Sequence, residues 1–106
     1  MVNRRNARSR NVCTCFGAAN VIVTELWKNI ERAVEYGEFE PSTSLDSLLN
    51  LMENVCGVDV SKERDELDKY IHHMREENLE AAINSAKSIS YNLLSDLVSA
   101  CEKEKI

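Results

Sequence analysis

Four cysteines, Cys13, Cys15, Cys56 and Cys101, are the residues of this chain with the widest chemical reach. As thiolates they could hold zinc, oxidised they would pair, and as thiols in phase with apolar stripes they would be small core residues. Cys13 and Cys15 are separated by one residue, which is not the usual Cys-x(2–4)-Cys ligand spacing. With no clear signal peptide, the pattern favours a reducing compartment, free core thiols and a cytoplasmic location. Zinc or disulfides are the alternatives.

The other reactive side chains have plainer readings. His72 and His73 each have a carboxylate four residues on, at Glu76 and Glu77, but they lie on the charged side of their helix wheel. Solvated i,i+4 pairs fit better than metal ligands. Ser90 interrupts an apolar arc without a neighbouring base, so its hydroxyl is expected to return to the carbonyl of Ala86. Among the 18 acidic residues no carboxylate stands out within an apolar stripe, where burial would raise its pKa. The three glycines, Gly17, Gly37 and Gly57, are isolated, so no phosphate-cradling loop exists. No motif names a reaction or a cofactor.

Charge is divided along the chain. Residues 1–24 carry Arg4, Arg5, Arg8 and Arg10 and no acid, and the remainder is strongly acidic, giving a net −5. Phosphate backbones and anionic lipids repel such a body, so only the arginine arm could contact nucleic acid. No apolar run is long enough to span a membrane. The basic start ahead of Val12–Val23 has the outline of a targeting segment, although no small-residue cleavage site follows.

These residues must be carried by helices, because 3 glycines and 1 proline leave few turns for strands. Apolar spacing predicts a first helix from Phe16 or Ala18 to Gly37, with Ala19, Ile22, Val23, Leu26, Trp27, Ile30, Ala33 and Val34 on one side. A second helix over Leu45–Cys56 buries Leu45, Leu48, Leu49, Met52, Val55 and Cys56, and Gly57 ends it. The third runs from Ser61 to about Glu76 on a narrow stripe of Val60, Leu67, Tyr70, Ile71 and Met74. The fourth, from Leu79 to about Lys103, has the broadest apolar arc and completes a C-terminal helical hairpin.

The turn around Glu77–Ala82 resembles the inter-helix turn of tetratricopeptide-type and HEPN-type helical proteins. The resemblance covers about ten residues and implies an αα-hairpin. The Arg-x(4–6)-His motif of HEPN-type ribonucleases is not matched, since seven residues separate Arg64 from His72 and eight separate it from His73.

The predicted fold is therefore all-α, a four-helix antiparallel up-down-up-down bundle over residues 16–106, preceded by a flexible basic arm at 1–15. That order gathers all four cysteines at one end. At 1.5 Å per residue, however, Cys15 lies about 31 Å and Cys101 about 33 Å from the opposite end, against about 18 Å for Cys56. The short second helix should leave the end of the fourth, from Leu93 to Cys101, partly uncovered.

This architecture suggests a non-enzymatic interaction or regulatory module. Trp27, Leu51, Tyr91, Leu94, Leu97 and Val98 are the candidate contacts for a protein partner or a second copy of the chain. Nucleic acid bound through Arg4, Arg5, Arg8 and Arg10 is the alternative.

Overall fold

A computed structural model describes residues 12–105 and is helical almost throughout, with no strand among the described residues. Four helices account for it: α1 (Phe16–Tyr36), α2 (Ser44–Leu51, continued by a π-helical Met52–Cys56), α3 (Ser61–Arg75) and α4 (Leu79–Lys105). Helix α4 packs against α1 and α3, and α2 completes the ring by packing against the same two. None of these helices is long and apolar enough to cross a membrane.

Helix α1 buries Ala19, Ile22, Leu26, Ile30 and Ala33, the i, i+3, i+4 stripe that its sequence spells out. Gly37 ends it in the left-handed conformation at φ 69°. Its N–H bonds the Ala33 carbonyl at 3.1 Å while that of Glu38 reaches Arg32 at 3.4 Å. A Cβ at such a φ would meet the following carbonyl, so glycine is the residue that stops the helix here cheaply. Val34, expected in the stripe, is exposed because it lies at the stripe's outer edge, where no neighbour reaches it.

After Gly37 the chain runs back alongside α1. The fully buried Asn29 side chain receives the Ser42 N–H at 2.6 Å and donates to Ser42 Oγ at 2.8 Å, and that hydroxyl donates to Glu25 at 3.0 Å. Asn29 precedes the end of α1 by seven residues, so α2 starts about 10 Å below the top of its neighbour. A backbone N–H that would otherwise be buried unpaired is satisfied by this strap.

Within α2, Leu45, Leu49, Met52 and Cys56 are buried. The last five residues wind as a π-helix, whose wider turn changes the phase of the apolar spacing. Val55, expected on the buried arc, is consequently exposed. Gly57, at φ 68°, ends the element as Gly37 ends α1.

Asp59 Oδ1 holds the N–H and hydroxyl of Ser61 at the entry to α3, and these bonds lower its pKa. Arg64 then ties α3 to α2, at 3.0 Å from Asp46 and 3.3 Å from Glu53, with a further hydrogen bond to Asn50. Tyr70, fully buried, crosses the core to donate its hydroxyl to the Leu26 carbonyl of α1 at 3.0 Å. Burial raises its pKa, since the phenolate would have no water. The turn into α4 places Glu77 at φ 57°, and Asn78 Oδ1 accepts the Ala81 N–H as a cap.

Helix α4 buries Ala82, Ala86, Ile89, Leu93, Leu97 and Cys101. In its C-terminal half Leu93, Leu97 and Cys101 are buried while Leu94 and Val98 stay exposed, so the expected partial exposure is confined to the outer face.

Candidate functional site

The same displacement of α2 brings the cysteines together in pairs. Cys13 is disulfide-bonded to Cys101, with Cα atoms 4.8 Å apart, and Cys15 to Cys56 at 6.4 Å. No cysteine among the described residues is free. This corrects the expectation of free thiols and removes the four as a thiolate zinc set. The shortfall of about 13 Å that set Cys56 apart assumed that α2 begins level with the end of α1. The descent to Ser42 removes most of it. Two strands of covalent structure thus join the start of α1 to the ends of α2 and α4.

Of the expected arm, residues 1–11 lie outside the described residues, and with them Arg4, Arg5, Arg8 and Arg10. From Val12 onward the chain is packed on the helices: Val12 is 6% exposed and Cys15 9%.

The six candidate contact residues do not form one surface. Leu97 is fully buried, which corrects its assignment to a contact face: at i+4 from Leu93 it belongs to the inner arc of α4. Trp27 is half-buried and packs against the core. Leu51 is exposed on α2 with Val55 beside it. The Asn29–Ser42 and Cys15–Cys56 pairs set α1 against α2 in opposite directions, so Val21, also exposed, stands level with Leu51.

Tyr91, Leu94 and Val98 do come together. They are 73%, 42% and 44% exposed and, with Ser95 and Ser99, line a shallow groove of about 350 Å³ on the outside of α4. Their spacing of i, i+3 and i+7 makes a continuous apolar stripe, with small serines beside it that let another helix approach closely.

His72 is exposed as its wheel position predicted, with Nε2 3.1 Å from Glu76. His73 is half-buried and its Nδ1 is enclosed without a hydrogen-bond partner, which corrects its placement on the solvent side. Ser90 donates to the Ala86 carbonyl at 2.8 Å, so its hydroxyl is engaged with the backbone. No group of three or more metal-ligating side chains occurs among the described residues.

One ionisable residue was missed. Glu63 is fully buried on α3, against the expectation that no carboxyl lies in an apolar stripe. Neither carboxylate oxygen has a hydrogen-bond partner of good geometry. Burial, and then the facing Asp96 carboxyl on α4, push its pKa up to about 7. The signal was present: Val60, Glu63, Leu67, Tyr70 and Met74 follow the 3-4-3-4 spacing of a buried face. Asp96 also lines a cleft of about 260 Å³ with Gly57, Asp59, Lys62, Ser99 and Lys103.

No family model matches the chain, and no curated protein or solved structure matches it significantly.

Proposed function

We propose that the chain is a non-catalytic interaction module, an up-down-up-down helical bundle that pairs with a second copy of itself through the outer face of α4. The exposed Tyr91–Leu94–Val98 stripe carries this reading. Lys87, Tyr91, Leu94, Val98 and Glu102 fall within an arc of about 80° at 100° per residue. A twofold axis between Leu94 and Ser95, with the two helices antiparallel, sets Tyr91 against Val98 of the second copy. The same axis sets Lys87 against Glu102. The face is therefore self-complementary in both apolar contact and charge, as an isologous dimer requires. An oxidising compartment, in place of the cytoplasmic location expected from the sequence, suits a domain with two disulfides.

Sedimentation equilibrium on the oxidised protein tests the reading. The expected result is a dimer whose Kd rises about 10- to 100-fold in Val98→Asp, roughly 1.4–3 kcal/mol. Lys87→Glu should weaken pairing, and adding Glu102→Lys should restore it. A monomer at 100-fold dilution and at high concentration alike, or a dimer indifferent to all three variants, would reject the pairing.

A further inference from the structure

We propose that Glu63 and Asp96 form a protonation-controlled latch between the first turn of α3 and the last turns of α4. With a proton on the pair the two helices close over Glu63 as the structure shows; without it, this corner opens at the adjoining cleft. The geometry carries the proposal. Glu63 is sealed from solvent, its two oxygens have no hydrogen-bond partner of good geometry, and the side chain facing it across the α3–α4 contact is a second carboxyl. Two ionised carboxylates in a dry contact repel each other and lose their hydration, so at least one must hold a proton while the contact is closed.

Among the described residues no neighbouring element supplies a compensating charge inside the contact. On α3, Lys62 adjoins Glu63 but lines the cleft, and Arg64 is engaged by Asp46 and Glu53 of α2. The segment between α2 and α3 offers Asp59, an acid; α4 offers Lys103 at the cleft. Residues 12–24, which include the start of α1, contain no ionisable group besides the disulfide-bonded cysteines. Lys62 and Lys103 both line the adjoining cleft, and opening the corner brings the carboxylate to that cleft and to water.

The fold decides which piece moves. Disulfides fix the end of α2 at Cys56 and the end of α4 at Cys101. Between those anchors residues 57–100 carry no disulfide, and the part of that stretch that holds Glu63 is the linker and first turn of α3, residues 57–66. The proton-linked range follows from the two states. The unfolded carboxyl loses its proton near 4.5 and the folded one near 7. Between these values the folded protein holds more protons than the unfolded chain, so stability falls as pH rises through 7 and is fullest below 4.5.

Urea unfolding followed through Trp27 fluorescence, with amide-exchange protection of residues 57–66, tests the latch at pH 5 to 8 in the oxidised protein. Relative to Glu63→Gln, the wild-type unfolding constant should rise on the order of 100-fold across that range. Protection of residues 57–66, corrected for intrinsic exchange, should fall with it while that of α1 holds. Asp96→Asn should reduce the dependence without removing it, because burial remains. Should Glu63→Gln fail to fold, the Glu63 carboxyl carbon titrated by NMR in the wild type decides: a midpoint near 7 supports the latch. A midpoint near 4.5, or equal pH dependence in wild type and Glu63→Gln, overturns it.

Discussion

Asn29 and Tyr70 are buried polar side chains whose hydrogen bonds reach between elements, and each sets a distance that helix packing alone leaves open. Asn29 grips Ser42 through both backbone and side chain. Asn29→Ala strands the Ser42 N–H and should cost about 2 kcal/mol in chemical denaturation, the range for an unsatisfied buried donor. Tyr70→Phe, which keeps the packing and loses only the bond to Leu26, should cost about 1 kcal/mol in the same measurement. At this scale the sequence is legible where chemistry and position agree: Ser90 and His72 stand as their wheels place them, whereas His73 is half-buried. Glu63 shows the opposite case. Its type argues for the surface and its spacing for the core, and spacing prevails because every turn of α3 on that side is covered.

Helix boundaries were written in the chain by residues with one physical use. Gly37 and Gly57 occupy left-handed positions and Asn78 caps α4, all as their types suggest. Glu77 is the exception, a bulky residue at φ 57° where glycine would carry no steric cost. Glu77→Gly should leave the fold unchanged and raise the thermal midpoint, by an amount equivalent to at most about 1 kcal/mol. What the spacing could not reveal was the course of the connection after α1. A single proline and a run of N-cap residues announce a turn, but not that the chain descends before resuming a helix. That descent depends on Asn29, which looks like any polar residue until Ser42 is beside it. The π-helical end of α2 was equally silent, since its residues carry no mark separating them from α-helix, and Val55 was misplaced for that reason.

At the scale of the whole molecule, everything turns on one end of the fold. Cys13–Cys101 and Cys15–Cys56 close loops of 88 and 41 residue separations, and each closure is worth ~4 kcal/mol on the loop-entropy argument, less where the loops overlap. Reduction should therefore lower the thermal midpoint substantially, and a thiol reagent should label the native protein only afterwards. Because one tryptic peptide carries both Cys13 and Cys15, a non-reducing digest should yield three peptides joined as one mass, which reduction separates. Separate two-peptide species would contradict the observed pairing. The same bond has a mechanical side. Tension applied through chain flanking Cys13 and Cys101 is borne by a covalent link and bypasses the helices altogether. The segment between them contributes no extension while that link is intact; once both disulfides are broken, about 300 Å of slack becomes available at ~3.5 Å per residue. Held by its two ends, the domain behaves as a fixed-length link in a tether whose reach is set by the redox state around it.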